Sequence, residues 1–158
     1  MSAATPVPVL LDCDPGHDDA VAILLALGSP GTDLIGITTC FGNCAVEDAT
    51  RNAQRVLALA GREDVPVAVG AAGPMRGELA LGNYVHGVSG LDGPDLPEAT
   101  VAPVEESAVQ LLARSLEESP EPVTVVVTGP MTNLGHLLTE RPDLVGRIRE
   151  LVFMGGST

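Results

Sequence analysis

The 158-residue chain has no lysine and no tryptophan, and it carries one tyrosine and two phenylalanines. Eight arginines stand against 21 acidic residues, for a formal net charge of −13. No basic stripe exists to follow a phosphate backbone or an anionic bilayer, so nucleic-acid and membrane-surface partners are excluded as expectations. With so few aromatics, Ala, Val and Leu must fill the core. The cysteines, Cys13, Cys40 and Cys44, are odd in number and form no CxxC pair. They read as buried free thiols of a reducing compartment; a zinc site from Cys40, Cys44 and a distant histidine is the weaker alternative. No apolar stretch approaches the roughly 20 residues that cross a bilayer. "MSAATPVPVL" lacks the charged n-region and apolar h-region of a secretory leader, so the expected location is cytoplasmic. Neither GxGxxG nor GxxxxGK[ST] occurs, which leaves nucleotide-phosphate cradles without support.

What is present is a globular composition, 45% hydrophobic and 18% charged, of a size for one domain spanning 1–158. "VPVLLD" (7–12) is a short apolar run of buried-strand character. "DDAVAILLALGSPG" then reads as a helix with acids in its first turn and a Gly-Ser-Pro-Gly stop. Further strands are predicted at 33–41, 65–70, 123–129 and 151–156, and further helices at 46–61 and 107–119. "TNLGHLLTE" and "PDLVGRIRE" read as short helices. Strands apolar on both sides that alternate with helices predict an α/β fold: a mostly parallel, Rossmann-like sheet covered on both faces. That sheet is apparently truncated after its fifth strand.

In such sheets ligands bind beyond the carboxyl ends of the strands. Four aspartates crowd there after the first strand, in "LLDCDPGHDDA" (10–20). Two carboxylates about 4 Å apart repel by roughly 4 kcal/mol at an effective dielectric near 20. A helix N-terminus favours negative charge by up to about 1 kcal/mol, which accommodates one or two acids but not four. Asp14 and Asp19 flank a Pro15-Gly16 turn that can fold their oxygens toward one point, and all-oxygen donors favour a hard cation such as Ca²⁺ or Mg²⁺. An EF-hand loop is excluded, because Gly16 and His17 stand where it needs Asp or Asn and then Gly. An aspartyl-phosphate phosphohydrolase fits less well, with Gly16 at a position where Thr or Val is usual. Other residues stay open on the letters alone. Asn43 can close a turn, Asn133 can cap the helix that follows it, and Met154 can be core. His17 and His136 read as structural.

The run "LLDCDPGHDDAVAILLAL" resembles the N-terminal signature of the inosine-uridine type nucleoside hydrolases. The likeness continues, in family order, through "GITTCFGNCAVEDATRNAQRVLALAG", "VHGVSGL", "VTVVVTGPMTNLGHLL" and "LVFMGG". The resemblance implies a calcium-dependent N-ribohydrolase that splits ribonucleosides into base and ribose for salvage. It implies Asp14, Asp19 and the Thr128 carbonyl as calcium ligands, and Asp14 also as general base. It places Asp18 and Asn43 on the ribose hydroxyls, Asp12 behind the ligands, His86 in a mobile loop near the base and Met154 in the sugar pocket. Family members are longer, and their second half supplies a further calcium-ligating Asp, a His and more ribose-binding residues. The expectation is therefore a chain that self-associates or pairs with one carrying that half. The alternative reading is a calcium- and ribose-binding module without turnover.

Overall fold

A computed structural model describes residues 5–155. Five strands, β1 (Val7–Cys13), β2 (Thr32–Thr39), β3 (Val67–Ala68), β4 (Val123–Val127) and β5 (Ile148–Phe153), form one all-parallel sheet in the order β3-β2-β1-β4-β5. The helices α1 (His17–Gly28), α2 (Val46–Ala60), α4 (Ala108–Glu118) and α5 (Thr132–Glu140) connect them, with a one-turn α3 (Asn83–His86) inside the long 69–107 segment. The parallel, two-sided sheet predicted from sequence is what the chain forms.

Alternation along the strands builds a core on each face. Leu11, Ile37 and Val67 pack with Ile23 of α1 and with Ala53, Val56 and Leu57 of α2. Leu10, Val123, Val125 and Val127 pack with Leu112 and Leu116 of α4 and with Leu134 and Leu137 of α5. At about 25 cal/mol per Å² of apolar surface removed from water, these layers are the main stabilising term. The apolar positions of α2 repeat at helical spacing, and Gly61 ends it in the left-handed conformation at φ +65°.

Two boundaries differ from expectation. "PDLVGRIRE" is not a short helix: Pro142–Arg147 make a 3₁₀ turn, and Ile148, Arg149 and Glu150 already belong to β5. β5 lies at the sheet edge with Leu151, Val152 and Phe153 partly exposed, so it carries no buried-strand signature at its start. β3 pairs over two residues rather than six, and the chain beyond it returns so that Val104 bridges to Ala68. Gly156, placed in the fifth strand by sequence, lies outside the described residues.

The order of the sheet puts a switch point beside β1. Connections run from β1 outward to β2 and β3, then back across to β4 and β5. Crevices for ligands open at such points, beyond the carboxyl ends of the strands. Asp12 sits in register with Thr38 on β2 and Val127 on β4, so every acid that follows it emerges at that crevice.

Candidate active site

β1 delivers Asp12 and then turns sharply through Asp14, Pro15 and Gly16 into α1, whose third residue is Asp19. The Asp19 carboxylate reaches back and accepts the Gly16 amide at 3.1 Å, so the helix start is closed by an acid the site also uses. Asn43, just beyond β2, joins the two carboxylates. Its backbone N–H donates to Asp14 Oδ2 at 2.7 Å, and its Nδ2 donates to the Asp14 carbonyl at 3.0 Å and to Asp19 Oδ2 at 3.4 Å. From β4, the Thr128 hydroxyl donates to Asp19 Oδ1 at 2.6 Å, while the Thr128 amide donates to the Asp12 carbonyl at 2.9 Å. Thus Asp14, Asp19, Asn43 and Thr128 form one hydrogen-bonded cluster assembled from three loops.

Glycine is required where these loops close on the carboxylates. A methyl group on Gly42, whose φ is +156°, would stand 2.0 Å from Asp14 Oδ2. On Gly129 it would lie 2.8 Å from Asp14 Oδ1. Any larger residue at Gly42 would push the carboxylate away.

The electrostatics match a site that wants positive charge. Burial, and then the Asp19 charge, push Asp14 up to about 7. Burial likewise raises Asp19, against the bonds from Thr128 and Gly16 that favour its charged form. Behind them Asp12 is fully buried. Its Oδ1 accepts from Thr38 Oγ1 at 2.6 Å and from Asn133 Nδ2 at 2.8 Å, yet burial outweighs both bonds and lifts it to about 6. Among the described residues, Asp12 Oδ2 has no hydrogen-bond partner. Two or three buried carboxylates without a neighbouring cation are costly.

The donor set is therefore hard oxygen, and it fits a cation of the Ca²⁺ or Mg²⁺ class. Among the described residues no three His, Cys, Asp or Glu side chains gather as a metal cluster. A cation here would have to draw on two carboxylates together with backbone or water oxygens. The zinc alternative fails for the same reason, and because the thiols are buried. Burial, followed by the nearby aspartates, raises Cys13 and Cys40 far above the ordinary thiol range, and Cys44 reaches about 12. Thiols held protonated in this way are poor ligands and inert nucleophiles.

The remaining sequence-nominated residues divide. Asp18 is exposed on α1, with Oδ1 3.5 Å from His86 Nε2, so the structure brings α3 to the helix start. Met154 donates its backbone N–H to the Val127 carbonyl at 2.9 Å, next to Thr128, and leaves its side chain exposed. Asn133 is not a helix cap. It is buried, donates to Asp12 Oδ1 and to the Thr39 carbonyl at 2.9 Å, and accepts the Ala71 amide at 2.9 Å. Sequence reasoning also passed over Asn52, buried on α2, whose Nδ2 donates to the Pro15 carbonyl at 3.1 Å and the Ser89 carbonyl at 2.7 Å. The signal was available: Asn52 falls between Ala49, Ala53 and Val56 on the buried stripe, where a polar side chain must have partners.

An all-parallel sheet whose switch point opens onto paired carboxylates and a strand-end threonine defines an α/β protein with a cluster of oxygen donors at its ligand-binding edge. The chain belongs to the inosine-uridine preferring nucleoside hydrolase family, whose family model matches residues 9–158. It is 54% identical over 151 residues to the pyrimidine-specific ribonucleoside hydrolase RihA of Escherichia coli K12, covering 96% of this chain and 49% of that protein. Among solved structures it is similar to the purine-preferring ribonucleoside hydrolase from Gardnerella vaginalis, with a TM-score of 0.89, 34% identity, and coverage of 95% and 49%. It is also similar to the plant nucleoside hydrolase PpNRh1, with a TM-score of 0.87, 38% identity, and coverage of 96% and 48%. The chain spans about half the length of the curated relatives it matches.

Proposed function

We propose that this chain carries the metal centre and part of the sugar site of a calcium-dependent ribonucleoside hydrolase, which cleaves the N-glycosidic bond to free base and ribose. The observation that carries the reading is the joining of Asp14 and Asp19 by Asn43 at the β1/β4 switch point. Family membership and the names of the relatives agree with it. Asp14, Asp19 and the Thr128 carbonyl would hold calcium, which when bound supplies positive charge between the carboxylates and acidifies water.

The chain's own groups account for the rest. Cleavage builds oxocarbenium character on the ribose, and a wall of carboxylates stabilises that charge. Asp14, raised toward neutrality by burial, is suited to take the proton from the attacking water. Asn43 holds Asp14 through its backbone N–H, which fixes the direction of that proton transfer. Asp18, exposed at the crevice, is placed for a ribose hydroxyl, and His86 stands beside it on the base side. A neutral nucleoside needs no phosphate clamp, in keeping with the lack of lysine and of Gly-rich phosphate loops.

The activity is proposed for the protein in its native length, with the elements that the longer relatives possess. The test is release of free base from uridine, cytidine and inosine with calcium and with chelator, wild type against Asp14→Asn. The expected result is calcium-dependent release that falls roughly 10²–10⁴-fold in the variant. Nucleoside binding without release by the wild type would instead establish the binding module.

A further inference from the structure

His17 was set aside as structural, yet it makes three contacts across more than 65 residues of chain. Its backbone N–H points at His86 Nδ1 at 3.4 Å, its ring Nδ1 lies 3.0 Å from the same nitrogen, and its Nε2 lies 3.0 Å from the Asp92 carbonyl. The two rings stand tilted with centroids 5.2 Å apart. We propose that His17 is a positioning residue, which latches the 82–92 loop onto the start of α1 and fixes which nitrogen His86 turns toward Asp18.

The contacts orient the His86 ring. Its Nδ1 is turned toward His17, within reach of that residue's backbone N–H and ring Nδ1. Nε2 is the nitrogen that faces Asp18 Oδ1 at 3.5 Å. A carbonyl can only accept, so the bond to Asp92 is donated by His17 Nε2. The loop it holds is braced internally. The Asp92 carboxylate accepts the Val88 and Ser89 amides at 2.9 and 3.2 Å, and the Asp92 amide donates to the His86 carbonyl at 3.1 Å. The loop also docks elsewhere, through Gly82 N–H to the Gly42 carbonyl at 2.7 Å, through Asn52, and through buried Leu91. Gly16 lets the ring come close: a methyl there would meet His86 Cδ2 at 2.9 Å. The inference rests on the proposed function only for what His86 is positioned to meet; the latch itself is a property of this chain.

Two measurements test it. Proton NMR of the wild-type chain should show ring-to-ring Overhauser contacts between His17 and His86, whose centroids are 5.2 Å apart, while the His86 ring signals should shift and broaden in His17→Leu and stay in place in His17→Gln, which keeps a donor for the Asp92 carbonyl. Amide hydrogen exchange within 82–92 should quicken about five- to tenfold in His17→Leu, the loss of roughly one hydrogen bond, with β1 and β4 unchanged. A wild-type chain without any contact between the two rings overturns the proposal whatever the variants do. So does unchanged exchange in a folded His17→Leu chain. If the ring contacts and exchange behave as expected in a protein that hydrolyses no nucleoside, the latch stands and the proposed reaction falls.

Discussion

Replacing Asp14 by Asn should make the metal-free chain more stable at alkaline pH while depriving it of its cation. In the fold the Asp14 carboxyl is raised by burial and by Asp19 from an ordinary 3.8 to about 7. That shift is worth roughly 4 kcal/mol between the neutral and ionised forms. Its sign is fixed by where the protons are. Between about pH 4 and 7 the folded chain keeps a proton that the unfolded chain has released, so this group's contribution weakens as pH rises, and above 7 the whole penalty applies. Asn carries no such penalty, and its carbonyl oxygen can still accept the Asn43 N–H now bonded to Asp14 Oδ2. At pH 8 in chelator, Asp14→Asn should therefore exceed the wild type by about 2–4 kcal/mol, and near pH 4 the two should converge. For a chain of this length that is roughly 5–15 °C in melting temperature. Calcium at about a hundred times its dissociation constant should return roughly 2.7 kcal/mol to the wild type and nothing to the variant. Thermal scans at pH 4, 6 and 8, with and without calcium, supply the comparison. A variant no more stable than the wild type at pH 8 without metal would refute the electrostatic reasoning.

Other substitutions test the parts around that carboxylate. Gly42→Ala should weaken calcium binding roughly tenfold or more by calorimetry, because the new methyl would lie 2.0 Å from Asp14 Oδ2. Thr128→Val removes the hydroxyl on Asp19 Oδ1 but leaves the carbonyl, and should cost roughly 10–100-fold in calcium affinity with little change in fold by circular dichroism. Asn133→Leu leaves Asp12 Oδ1 with Thr38 alone and removes the side-chain partners of the Thr39 carbonyl and the Ala71 amide, so urea denaturation should show a loss of about 3 kcal/mol or more.

The layers of the fold were legible because buried parallel strands and amphipathic helices print their periods on the sequence. β1 and β4 are dominated by Val and Leu, and α2 repeats its core positions. β5 was misread at its start because Ile148-Arg149-Glu150 sits on an edge, where an exposed strand need not be apolar. β3 was read too long, since Val65 and Val69 are apolar yet stand outside the two paired residues. In the site, the carboxylates announced themselves because DxDxxxDD is local and costly. Asn133 and Thr38 did not, because their bonds to Asp12 span 121 and 26 residues and exist only once β1, β2 and α5 have come together. Family resemblance supplied roles for Thr128 and Asn43 that the letters alone left open. The structure then placed both within hydrogen-bond reach of Asp19.

Isothermal titration of calcium into the wild-type chain and Asp19→Asn at pH 7.5 bears most directly on the metal centre. The geometry at the β1/β4 switch point predicts one calcium per wild-type chain, with the binding heat abolished in Asp19→Asn. No heat in the wild type, or the same heat in both proteins, would contradict it.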